Sequence, residues 1–148
     1  MTIEIKELGS DKKVLKDFLN CVRTIYAGNP HYVRPLDFDE MAIAAREFCG
    51  EHDFSSFSAN RGTPETNTVR TIRAVHLRRS GPCISMEFDG DGFLYKMVRM
   101  MAGTLVRIGL GQASPQETAA RFRSPRKTIS RGRTAAPADG LFLIRVRY

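Results

Sequence analysis

The chain is poor in the residues that build disulfide or metal scaffolds. Its three cysteines, Cys21, Cys49 and Cys83, lie far apart and form no C-x-x-C pair. Such spacing argues against a disulfide framework and a zinc site, and suits a reducing cytoplasm. His31, His52 and His76 stand in unrelated contexts, so no set of metal ligands converges. No apolar run approaches the length of a membrane span, and the opening MTIEIKELGSDKK lacks the apolar stretch of a secretory signal. G-x-S-x-G, P-loop and H-E-x-x-H patterns are all missing. The expectation is a cytoplasmic chain with no metal and no membrane partner, long enough at 148 residues to bury a core.

Positive charge is present in excess and is unevenly spread. Residues 1–40 hold 6 Lys/Arg against 7 Asp/Glu, whereas residues 41–148 hold 17 against 9. The stretch RFRSPRKTISRGR at 121–133 carries six basic residues and no acid: Arg121, Arg123, Arg126, Lys127, Arg131 and Arg133. A guanidinium grips phosphate bidentately, so this stretch suits a polyanion; a solvated basic loop is the bland reading.

Composition divides the chain near residue 40. Before it, Ile3 and Ile5 alternate as a short strand, and Asp11 caps a helix with Val14, Leu15, Phe18, Leu19 and Val22 on one face. From Met41 a helix runs to Gly50, followed by a polar, turn-rich loop, EHDFSSFSANRGTPETN, which Phe54 and Phe57 anchor to the core. Residues 68–90 read as a hairpin turning at Ser80-Gly81, with imperfect alternation in its first strand. A helix over 93–108 is broken by GLG at 109–111, a helix C-terminus with glycine at C′. Ser114-Pro115 opens a short helix through Phe122. GLFLIRVRY, 140–148, reads as a closing strand. The order α–β–β–α–α–β predicts an α+β fold, a mixed or antiparallel sheet packed against helices.

One residue disturbs this pattern. Within DGFLYKMVRMMAGTLVRIGLG, Lys96 and Arg107 lie within about 20° of each other, opposite the apolar face. Arg99 projects elsewhere, beside Ala102, Gly103 and Val106. A guanidinium there needs a partner, and no acid lies one turn away. Its partner is either a structural ion pair or a ligand or catalytic contact. His52-Asp53 is the other conspicuous pair, and local hydrogen bonds account for it better than a metal.

Five stretches carry a family resemblance: GEHDFSSFSA (50–59), NTVRTI (67–72), GFLYKMVRMMAGTLVRIGLG (92–111), SP (114–115) and TAAPADGLFLIRVRY (134–148). In this order and spacing, residues 41–148 closely resemble the C-terminal half of the bacterial tRNA pseudouridine synthase A family. The resemblance implies a pseudouridine-synthase-type C-terminal domain and a cofactor-free isomerase acting on uridines of the tRNA anticodon stem-loop. It also implies tRNA as partner and a homodimer or self-association. The base is detached from its ribose and rejoined through carbon, which requires a flipped-out nucleotide. An aspartate attacks or assists at the sugar–base bond, and an arginine on the long helix orients it. By motif that arginine is Arg99, and the leucine lining the base pocket is Leu141.

The family's aspartate motif, G-R-T-D-x-G, is not in this sequence. GRTA at 132–135 echoes it with Ala135 in the aspartate's place. Residues 1–40 do not match the family; IYAGNPHYVRPL is similar to the opening of an acetyltransferase-like family. The expectation is a synthase C-terminal domain that does not catalyse alone, or else a non-catalytic RNA-binding module.

Overall fold

A computed structural model describes residues 36–59, 62, 65–123 and 135–146. Asp37 caps helix α1, Phe38–Arg46, its carboxylate accepting the Glu40 N–H at 3.1 Å. The helix therefore begins three residues before the expected Met41. The Asp37-x-x-Glu40 pattern was a readable cap signal that the apolar period alone overlooks. Met41, Ala44, Ala45 and, one turn beyond the helix, Phe48 recur at helical spacing and are buried.

Gly50, at φ 108°, turns the chain into β1, Gly50–Asp53, and a 3₁₀ helix follows at Phe54–Phe57. A strand here escaped the sequence reading because four polar residues carry no apolar alternation. The anchoring role of Phe54 and Phe57 holds, since both are fully buried. Each contributes about 2–3 kcal/mol of burial. Asp53 accepts from the Ser55 N–H and the Thr68 hydroxyl, and His52 Nε2 lies 3.0 Å from the Cys49 carbonyl oxygen.

β2, Val69–Ser80, and β3, Cys83–Gly90, form the hairpin, and the antiparallel sheet has the order β1-β2-β3. The turn residues are Gly81, at φ 56°, and Pro82, one position beyond the expected Ser80-Gly81. Positive φ at the first loop residue matches the twist of a tight hairpin. The imperfect alternation in β2 has a physical cause. Ile72 pairs with Gly90 and Ala74 with Asp89, so Arg73 is the extra residue of a β-bulge. Arg73 also bonds Asp89 at 2.6 Å and the Gly90 carbonyl at 2.7 Å, which pins the register.

Helix α2, Met97–Gly109, starts four residues later than the expected 93. Lys96 adopts φ 60°, a left-handed conformation that no helix interior contains. Leu94 still reaches the core, but Phe93, the first residue of the expected helix, is exposed. Met97, Met101, Leu105 and Ile108 form the buried stripe. The far end closes within the expected GLG, and the structure picks out Gly111, at φ 66°: the Gly111 N–H bonds the Ile108 carbonyl and the Gln112 N–H that of Arg107. A Cβ on Gly109 would lie 2.6 Å from Met41 Sδ, so this glycine permits the close crossing of α1 and α2.

Helix α3, Pro115–Arg123, opens with the Glu117 carboxylate accepting the Ser114 N–H at 3.2 Å. Residues 135–146 carry no regular element, so the closing strand expected over 140–148 is not formed among the described residues. Leu141, Phe142, Leu143, Ile144 and Val146 are 50, 78, 81, 75 and 53% exposed. β-propensity alone does not bring a segment to an edge.

The described residues belong to the unit Pro35–Tyr148, a three-stranded antiparallel sheet with three α-helices, an α+β arrangement. The other unit, Met1–Arg34, lies outside them, with the expected strand at Ile3 and Ile5 and the helix after Asp11. Among the described residues, no helix is long and apolar enough to cross a membrane.

Candidate functional site

Arg99 occupies the first turn of α2, where the left-handed Lys96 has just set the helix direction. It is half-buried, and its Nε donates to the Ala136 carbonyl at 2.7 Å. The Ala136 N–H in turn donates to the Arg99 carbonyl at 2.8 Å. This reciprocal pair clamps the A-A-P-A-D-G segment to the helix. Two residues on, the Leu141 N–H bonds the Ala138 carbonyl at 3.0 Å, closing a turn that presents Leu141 to solvent. The structure thus ties Arg99 to the segment that carries Leu141. Among the described residues no carboxylate pairs with Arg99.

The anchor is a main-chain oxygen, an alternative that the sequence did not suggest. An Nε donor engaged in this way orients the guanidinium plane, and its terminal nitrogens keep the fork geometry that suits a carboxylate or phosphate. The exposed groups preceding Arg99 are Phe93, Tyr95 and Lys96, with Lys96 Nζ 5.2 Å from the Tyr95 ring centroid. Nothing in the helical period distinguishes Lys96 from an ordinary solvated lysine, and only the backbone reveals it.

The basic stretch separates into unlike members. Arg121 is not a surface phosphate ligand. Only 8% exposed, it donates from Nη2 to the Ser56 carbonyl at 2.6 Å and from Nη1 to the Thr104 hydroxyl at 3.0 Å. Its guanidinium carbon lies 4.0 Å from the Phe57 ring centroid. Burial, with Arg107 nearby, pushes its pKa below the usual arginine range, and Glu117 opposes that shift. The physical reason for the correction is helical phase: Thr118 and Arg121, one turn apart on α3, both face inward. Phe122 supports the same corner, stacked on His52 at 4.4 Å and packed edge-on against Phe54 at 5.1 Å. His52 is therefore a packed, locally bonded side chain.

Arg123 is exposed at the end of α3. Arg126, Lys127, Arg131 and Arg133 lie outside the described residues. Arg78 and Arg79 add an exposed basic pair beside the hairpin turn. The run RRSGP was the available signal for them, and reading it only as a turn concealed its charge.

The sequence model of the family described as tRNA pseudouridine synthase matches residues 44–148. The tRNA pseudouridine synthase A of Acetivibrio thermocellus is 44% identical over 118 residues, covering 80% of this chain and 47% of that protein. That of Methylacidiphilum infernorum is 40% identical over 118 residues, covering 80% and 46%. That of Limosilactobacillus fermentum is 38% identical over 134 residues, covering 89% and 50%. The chain spans about half the length of the curated relatives it matches.

Proposed function

Since the chain belongs to the tRNA pseudouridine synthase family, we propose that it supplies the tRNA-binding half of a uridine isomerase, with Arg99 as the arginine that orients the catalytic aspartate. The observation that carries this reading is the Arg99–Ala136 clamp. It holds the guanidinium beside the Leu141 segment and leaves it without a carboxylate among the described residues. A carboxylate brought to that fork would be held ionised by the adjacent positive charge. Leu141, exposed at the end of the same segment, is the apolar surface offered to the displaced base. Arg123 and the basic positions Arg126, Lys127, Arg131 and Arg133 contact tRNA phosphates. The chain works in the cytoplasm and associates with a second copy of itself.

The sequence carries no G-R-T-D-x-G motif, and an arginine cannot replace the carboxylate in attack or assistance at the sugar–base bond. The purified chain is therefore inert alone. The test is uridine isomerisation on a tRNA transcript, with and without an added polypeptide that carries the aspartate motif. Turnover only in the mixture, lost in Arg99→Ala, is the expected result. Turnover by the chain alone overturns the assignment of Arg99 as half of a site.

A second reading, a non-catalytic RNA-binding module, rests on the excess of Lys/Arg over Asp/Glu in residues 41–148. It predicts tRNA binding that weakens steeply with salt and no turnover in either mixture.

A further inference from the structure

β3 is an edge strand: among the described residues the sheet ends there, with eight residues, Cys83–Gly90, offering one unpaired side. CISMEFDG contains neither proline nor lysine to block its edge; its charges are Glu87 and Asp89, and the Arg73 bulge lies at its far end. Its side chains alternate strictly from Cys83 to Phe88: Cys83, Ser85 and Glu87 are exposed, while Ile84, Met86 and Phe88 are half-buried against the core. The apolar row is thus only partly covered.

Leu141–Val146 has the complementary features. It is apolar and β-prone, has no strand partner among the described residues, and is exposed along its whole length. Contiguous apolar surface of this kind marks an interaction site more often than a solvated tail. Its one charge in that span is positive, at Arg145, whereas the charge of the exposed β3 row is negative, at Glu87. If Arg145 lies beside Glu87, Phe142, Ile144 and Val146 fall on the side of Ile84, Met86 and Phe88. This holds in either strand direction, because side chains alternate with period two.

We propose that Leu141–Val146 of one copy adds as a strand to the open β3 edge of a second copy, pairing Arg145 with Glu87. Strand and edge occur on the same chain, so the contact is reciprocal, and two copies satisfy both without leaving a strand unpaired. The proposal rests on the self-association stated above and names its surface.

Sedimentation of the full chain over a concentration series tests it. The expected result is a dimer whose dissociation constant rises at least about tenfold in Ile144→Pro, which removes a ladder donor. Glu87→Arg and Arg145→Glu each weaken it about threefold to fivefold, and the double variant restores it. Both sites are exposed, so the variants fold; circular dichroism verifies this. A dimer indifferent to all four variants overturns the strand-exchange surface and leaves self-association standing. A clean monomer at every concentration overturns both, including where the segment serves a different polypeptide. Binding of the tRNA transcript, measured in parallel, reports separately on the RNA reading.

Discussion

Arg121 and Arg99 make the same kind of contact in opposite settings. Each exchanges hydrogen bonds with a segment distant in sequence: Arg121 with Ser56, Arg99 with Ala136. Arg121 is then enclosed by Phe57 and Thr104, and both terminal nitrogens are engaged. Arg99 is engaged at Nε and half-exposed. An arginine enclosed in the core with both terminal nitrogens bonded acts in stability. One held by a single edge is positioned for a further partner.

The largest effect separating the two is on stability. Arg121→Ala removes the charged donors to the Ser56 carbonyl and the Thr104 hydroxyl, lowering stability by about 2–3 kcal/mol. Urea unfolding checks it, and Arg121→Lys recovers little, because an ammonium lacks the planar fork. An unchanged midpoint would dissolve the contrast. Arg99→Ala is milder, loosening the clamped segment by about 1 kcal/mol, so hydrogen exchange at the Ala136 amide rises roughly fivefold. Exchange that stays constant would show that the backbone bond alone holds the segment. Arg123→Ala is the smallest in stability, within about 0.5 kcal/mol. It lowers tRNA affinity and reduces the salt slope by about one. Arg123→Ala binding tRNA as well as the parent would remove the visible end of the basic stretch from the interface.

Local pattern accounted for much of the architecture. The hairpin, the apolar stripe of α2, its termination within GLG at 109–111 and the start of α3 at Ser114-Pro115 all follow from period, capping and turn chemistry within a few residues. Where the structure departs from the pattern, a non-local feature is responsible. α2 starts at Met97 rather than 93 because the left-handed Lys96 interrupts a run whose apolar spacing continues through Phe93. The register of β2 was obscured by the extra residue Arg73, whose partners Asp89 and Gly90 lie on another strand. In the candidate site, the helical phase of Arg99 marked it as displaced, yet its partner, the Ala136 main chain, is invisible in side-chain identity. Arg121 was read with its neighbours as one basic stretch because charge counting does not register which side of α3 faces the core.

Residue identity and short-range spacing are enough for the family, the α+β class and the existence of an arginine out of place on a packed helix. Only the tertiary structure shows that Arg121 is spent inside the molecule, that Arg99 is anchored yet open, and that Leu141–Val146, strand-like in composition, is paired with no strand among the described residues. Each of those outcomes depends on which distant group arrives at hydrogen-bond distance, and periodicity along one segment carries no information about its partner.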